Sequence, residues 1–241
     1  MALSYGPSIV TNGLVLCLDA ADTLSYPGPG TALWSDLSGQ GNNGNLNSAG
    51  ASFPGYNSDN GGSISFDGFS QNVIFTNDSF GALNNVTIEA WVKHTDPSQF
   101  RSYVGGVDGQ FGGYSGFSIR KEGGNWNFYV GGGGKAQNDV IGDVYQANTI
   151  VHLVGTYGGG TMKFYTNSVL KTTNTNFSGS IVYSSPASLG VHIAGEDVYL
   201  PGTTTGTSLT GSIYSYRLYN RALTSSEVAQ NFNALRGRFG V

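Results

Sequence analysis

The stretch from Leu209 to Phe232, LTGSIYSYRLYNRALTSSEVAQNF, changes its hydrophobic period from two to nearly four, and that change decides the fold. In its first half Tyr214, Tyr216 and Leu218 alternate with Ser215, Arg217 and Tyr219, the pattern of a strand covered on one face. In its second half Thr224 and Glu227 have the spacing of a capping box. Val228, Phe232 and Leu235 then follow at helical spacing. The segment predicts a closing strand over 210–219 and one short helix, the only helix in the chain.

Upstream, turn signals recur at short intervals: Asn12-Gly13, Gly39 to Gly44, Asn60-Gly61-Gly62, Asp67-Gly68, Gly123-Gly124 and Gly158 to Gly160. The runs between them are rich in Val, Ile, Tyr, Phe and Thr. They predict strands near 14–19, 63–67, 72–75, 86–93, 102–107, 116–121, 125–131, 150–157, 161–167 and 189–195, with Thr23 to Asn60 as the loop-rich part. Many short strands with regular turns indicate an all-β sandwich or jelly roll. Within 86–93, Val86, Ile88, Ala90 and Val92 share the core face, leaving Thr87, Glu89, Trp91 and Lys93 on the other.

Composition supports a single domain. Of the 241 residues, 39% are hydrophobic, including 14 Tyr and 13 Phe, enough to fill the space between two packed sheets. Charged residues make up only 11%, against about 25% in an average soluble domain, so Asn, Ser, Thr and Gly must form the surface. A net charge of -4 and scattered Lys and Arg leave no basic stripe able to neutralise phosphates, which excludes a nucleic-acid partner. Cys17 is the single cysteine and sits in the alternating strand of Leu14, Leu16 and Leu18, where it reads as a small core residue. The first residues lack a basic n-region and an unbroken apolar run, so neither a signal peptide nor a membrane span is expected.

The motif Gly-x-Ile-x-x-x-Arg-x-Tyr-Asn-Arg-Ala-Leu-Thr-x-x-Glu-Val, from Gly211 to Val228, resembles the closing signature of laminin G-like domains of the concanavalin A-like lectin/glucanase superfamily. Leu14 to Asp22 (LVLCLDAAD), Asp36 to Asn45 (DLSGQGNNGN), Ser63 to Gly68 (SISFDG), Val86 to Lys93 (VTIEAWVK) and Ile150 to Thr166 fall in the family's order. The resemblance implies a concanavalin A-like jelly-roll sandwich of two antiparallel sheets with one short C-terminal helix. The expected organisation is an N-terminal arm at 1–11, the sandwich at 12–235 and a C-terminal tail at 236–241. It also implies that Thr87, Glu89, Trp91 and Lys93 line an outer, concave face of the kind on which this superfamily often binds sugar; a neighbouring loop is expected to cover Trp91.

No catalytic constellation emerges. Glucanases of the superfamily carry two carboxylates on one strand in a Glu-x-Asp-x-x-Glu pattern, because alternation places them in one cleft beside the scissile bond. The four Glu, at 89, 122, 196 and 227, do not form it. Position 91 holds Trp, Glu227 belongs to the helix cap, and Glu196 and Asp197 are adjacent and so point to opposite faces of any strand. His94, His152 and His192 are isolated, and His152 reads as structural, with packing and one hydrogen bond. No enzyme activity is expected.

Asp19, Asp22 and Asp36 are the candidate Ca²⁺ ligands, as laminin G-like domains sometimes hold calcium at a loop rim. Three carboxylates fall short of the about six to eight oxygens calcium takes, so turn organisation is the preferred reading and no cofactor is expected. Sugar faces stack on aromatic rings through their apolar C–H groups. Tyr26, Trp34, Tyr56, Trp126 and Tyr145 are the candidates for such a platform, with sealing the ends of the sandwich as their competing role.

Beyond the predicted helix, NFNALRGRFGV at 231–241 resembles the C-termini of laminin G-like structural proteins of tailed bacteriophages. Arg236, Arg238 and Phe239, with Gly237 before Arg238 and Gly240 after Phe239, read as a flexible basic and aromatic tip suited to docking on a neighbour. The expectation is therefore a non-catalytic virion surface protein, a capsid decoration or fibre component, folded in the host cytoplasm and displayed on the particle. Its expected partners are other virion proteins, the major capsid protein among them, or further copies of itself, with neither nucleic acid nor membrane. A lectin module attaching to host glycans is the alternative.

Overall fold

Short β-branched and aromatic runs punctuated by glycine and asparagine form strands throughout a computed structural model that describes residues 8–48, 52–75, 83–108, 115–132, 139–183, 192–195 and 207–241. In chain order these are β1 (Leu14–Asp19), β2 (Leu33–Trp34), β3 (Gly44–Ser48), β4 (Gly55–Asn57), β5 (Ser63–Asp67), β6 (Gln71–Phe75), β7 (Val86–His94) and β8 (Arg101–Asp108). They continue with β9 (Gly116–Glu122), β10 (Asn125–Val130), β11 (Asp139–Val144), β12 (Ile150–Gly158), β13 (Thr161–Thr166), β14 (Val169–Asn174), β15 (His192–Ile193) and β16 (Thr210–Tyr219). One helix, α1 (Ser225–Phe239), closes the chain.

The strands make two sheets, both antiparallel throughout. One runs β14-β13-β12-β7-β16-β5-β4, with β1 also on β16; the other runs β11-β10-β9-β8-β15-β6-β3-β2. Their inner faces interlock as a sandwich: Ile88, Ala90, Val92, Leu153 and Phe164 from the first pack with Val104, Ile119 and Phe128 from the second. Gly155 on β12 allows a close approach of the two sheets, since a Cβ there would lie 2.3 Å from the Phe128 ring.

β16 carries the first sheet. Its N-terminal half pairs with β5 and its C-terminal half with β1, while β7 runs along the opposite edge. A bulge between Ile213 and Ser215 interrupts the pairing with β7, and it shifts the alternation read from sequence. Ile213, Tyr216 and Leu218 enter the core, whereas Tyr214 lands on the outer face beside Trp91 and Phe232. Tyr214 therefore does not share a face with Tyr216 and Leu218, as strict period-two reading expects. An irregularity between Leu14 and Leu16 does the same in β1, sending Leu14 and Cys17 to the outer face and Leu16 and Leu18 inward.

Five strands lie where the sequence predicts none. β2, β3 and β4 fall in the stretch read as loop, and β11 (DVIGDV) and β14 (VLKTTN) show no regular apolar alternation. They sit toward or at the sheet edges; β2, β3 and β11 each send one apolar side chain into the core, Trp34, Leu46 and Val140, whereas β4 and β14 bury none. The ends of the chain differ from expectation too. Residues 236–239, read as part of a tail, continue α1, which ends on Gly240 in the left-handed conformation (φ 69°) with its N–H donating to the Arg236 carbonyl. The described part of the N-terminal arm is docked: Val10 N donates to Asn231 Oδ1 at 2.8 Å, and Gln230 Nε2 to the Ser8 carbonyl at 2.7 Å.

Candidate functional site

The outer face of the first sheet is the place where the resemblance leads one to look for a ligand. α1 lies on it. The Thr224 hydroxyl accepts the Glu227 N–H, and the Glu227 carboxylate accepts the Thr224 N–H, so the predicted capping box is present and starts the helix above β7. Its lower side presents Val228, Asn231 and Phe232, all buried. Trp91 is fully buried, stacked on Phe232 (5.6 Å between centroids) and Phe239 (4.2 Å), so the helix, not a loop, covers it.

Beneath the helix sits a closed polar network centred on Glu89. Arg217 Nη1 donates to Glu89 Oε1 at 2.8 Å, His152 Nε2 lies 3.1 Å from the same oxygen, and Asn231 Nδ2 donates to Oε2 at 2.5 Å. Asn231 Nδ2 also donates to the Tyr219 hydroxyl, which donates to the Val10 carbonyl, and Val10 N returns to Asn231 Oδ1. Glu89, His152 and Asn231 are wholly inaccessible. Burial alone would raise the Glu89 pKa, but the Arg217 charge, with the bonds from His152 and Asn231, holds it down to about 2. A general acid must be reachable and titrate near the working pH. Glu89 meets neither condition, and its role is to tie β7, β12, β16 and α1 together.

The other carboxylates are also engaged. Glu122 pairs with Arg101 and Arg120, and Arg120 with Asp139. Glu227 pairs with Arg221 at 2.6 Å; Glu196 and Asp197 lie outside the described residues. Asp19 accepts the Ala21 N–H and pairs with Arg238, Asp22 accepts the Leu24 N–H, and Asp36 accepts N–H groups of Cys17, Ser38 and Asn42. These are turn-forming roles. The three carboxylates do not converge on one point, and among the described residues no group of three His, Cys, Asp or Glu is arranged to hold a metal.

The aromatic candidates separate into two places. Tyr26 and Tyr56 stack at 5.3 Å, near the β4 edge of the first sheet. Trp34 is fully buried and Tyr26 nearly so, which leaves neither ring face open to a sugar. At the opposite edge Trp126 meets Tyr145 edge-on at 5.6 Å, and the Tyr145 hydroxyl lies 2.9 Å from His94 Nδ1. Trp126 is only 2% exposed, so it too offers no stacking face. The tail residues are anchored as well. Arg238 donates to Asp19 at 2.7 Å and to the carbonyls of Asn60 and Gly62, while Phe239 packs on Trp91, so the expected flexible tip is a helical end fastened to the sandwich.

One concavity stands out among the described residues, a cleft of about 180 Å³ where the two sheets meet. Trp126 from β10, Val144 and Val151 give it an apolar wall; Asp143, Gln146, Thr149, Thr166 and Asn167 give it a polar one. The strands around it are fastened across the sheets, Thr172 Oγ1 donating to the Ile141 carbonyl at 2.6 Å and Asn174 Nδ2 to the Asp139 carbonyl at 3.3 Å. Asp143 pairs with Lys171 at 2.8 Å, which leaves the cleft without net charge. Asn167, in the β13–β14 turn at φ 49°, accepts the His152 N–H through Oδ1 at 3.0 Å and keeps Nδ2 without a protein partner among the described residues. Thr166 Oγ1 is buried and likewise unpartnered. Sequence reading missed Thr166, Asn167 and Asn231. A signal existed for the last, an asparagine on the apolar side of the helix between Val228 and Phe232.

A laminin G-type family model of the concanavalin A-like lectin/glucanases superfamily matches residues 66–229. The chain belongs to this superfamily. No curated protein matches it in sequence. Among solved structures it resembles the Trypanosoma rangeli sialidase, at 17% identity and a TM-score of 0.64 over 95% of this chain and 34% of that one. It also resembles the binding domain of botulinum neurotoxin serotype D/C, at 16% identity and a TM-score of 0.65 over 93% of this chain and 53% of that one. The chain thus spans about a third of the sialidase and about half of the toxin domain, and the likeness is one of fold. As a superfamily member the chain has its outer sheet face closed by its own C-terminal helix.

Proposed function

We propose that this protein is a non-catalytic binding and assembly module of a tailed-bacteriophage particle, a capsid decoration or fibre component that uses the lectin-like sandwich as a rigid display scaffold. One observation carries the non-catalytic part: Glu89, the acidic residue on the outer face of β7, is sealed beneath α1 and neutralised by Arg217. The virion assignment is supported by the resemblance of residues 231–241 to phage structural proteins and by the weakly charged, Asn-, Ser- and Gly-rich composition. No helix of the described residues is long and apolar enough to cross a membrane. The partners proposed are other virion proteins, the major capsid protein or further copies of the chain, and no metal or cofactor takes part.

Mass spectrometry of gradient-purified particles tests this: a fixed copy number per particle supports it, and absence from particles refutes it. A second reading, attachment to a host glycan, is favoured by the uncharged cleft beside Trp126. Selective retention on a glycan array would support that reading, and uniform absence of binding would exclude it.

A further inference from the structure

We infer that the cleft between β10–β11 and β12–β13 is a binding site for one neutral, polyhydroxylated ring, the terminal residue of a saccharide. The inference rests on the glycan-attachment reading and assigns it a place.

Size comes first. At about 180 Å³ the cleft is smaller than the roughly 300–1,000 Å³ of sites for drug-sized ligands, so it admits a single ring and not the middle of a chain. Charge comes next. The Asp143 carboxylate is paired with Lys171, so neither an anionic nor a cationic ligand finds an unpaired opposite charge. The lining then selects among neutral molecules. Thr166 Oγ1 is a buried hydroxyl without a protein partner among the described residues, a group whose desolvation is costly until a hydrogen bond satisfies it. Asn167 Nδ2 is a fixed donor, because the His152 N–H holds the other end of that amide. Thr149 and Gln146 add groups able both to donate and to accept. Hydroxyls match such a mixed set, since each donates and accepts. The apolar wall of Val144 and Val151 suits the C–H side of the same ring. Because the Trp126 ring face is buried, recognition runs through hydrogen bonds rather than stacking.

The test is an amide NMR titration of the whole protein with the methyl glycosides of glucose, galactose, mannose and N-acetylglucosamine. The inference expects at least one probe to shift the Asn167 side-chain amide together with backbone signals at 143–151 and 166–167. Thr166→Val, which keeps shape and removes the hydroxyl, should weaken that binding about tenfold or more, and Asn167→Asp, which keeps the acceptor for His152 and removes the donor, should do the same. Both variants should keep the parent dispersion of signals elsewhere. Binding that maps outside the cleft, or survives both substitutions, overturns the site while the glycan reading stands. No binding of any probe, together with a blank glycan array, overturns both.

Discussion

Replacing Glu89 by Gln keeps the shape of the side chain and deletes one charge from a fully buried pair. Arg217, itself only 2% exposed along its side chain, would then be a cation without its counter-ion. Removing one partner of a buried pair costs about 3–5 kcal/mol. The pKa displacement, which reflects the same Arg217 contact, has the same sign and order of magnitude. Glu89 moves from an ordinary value of 4.5 down to about 2, and at about 1.36 kcal/mol per unit this is roughly 3 kcal/mol of folded-state preference for the ionised form. A chain of this size should lose roughly 6–12 °C in melting temperature. The sign of the pH dependence follows from the direction of the shift. A carboxylate depressed in the folded state contributes fully above pH 4.5 and loses that contribution as pH falls toward about 2. Urea unfolding of parent and Glu89→Gln should therefore differ by about 3 kcal/mol at pH 7, with the gap narrowing below pH 4.5. A difference under about 1 kcal/mol at neutral pH, or one indifferent to pH, would refute the account of Glu89 as the hub beneath α1.

Gly155→Ala should destabilise by about 1–3 kcal/mol in the same assay, because the new methyl would meet the Phe128 ring across the sandwich. Thr224→Ala removes the hydroxyl that accepts the Glu227 N–H and should cost about 1 kcal/mol, with loss of helical signal in circular dichroism. Phe239→Ala should lower the melting temperature and shift Trp91 fluorescence to longer wavelength as water reaches the indole; an unchanged spectrum would show that α1 does not seal it. Cys17 is buried and its thiol is pushed up chiefly by burial, so alkylation at pH 8 should be slow in the folded protein and fast in urea.

Local pattern made much of the sandwich legible. Alternation in Val86 to Lys93 marks a strand from immediate neighbours in sequence, and the Thr224–Glu227 box states where a helix begins. Edge strands such as β4 and β14 were not legible, since a strand held by pairing on one side need not show apolar alternation. The bulges of β1 and β16 were hidden for a related reason. An inserted residue changes which side chains face inward without changing composition, so Tyr214 and Leu14 exchange faces unannounced.

The candidate site divides along the same line. Residue types announced that Glu89 lacks an acidic partner on its strand, so that the Glu-x-Asp-x-x-Glu pattern is missing from the sequence. That α1 runs on to Phe239 and lies over Trp91 and Glu89 is a long-range fact, set by Asn231, Arg238 and Phe239 meeting residues more than a hundred positions away. The cleft is longer-ranged still, because its walls come from four strands of two sheets, and no one segment carries its shape or its neutrality. Sequence alone thus decided the class of fold and the missing catalytic pair, both of which depend on periodicity and composition. Which face α1 covers and where the cleft beside Trp126 lies were decided only in three dimensions, where burial and pairing join segments that the chain keeps apart.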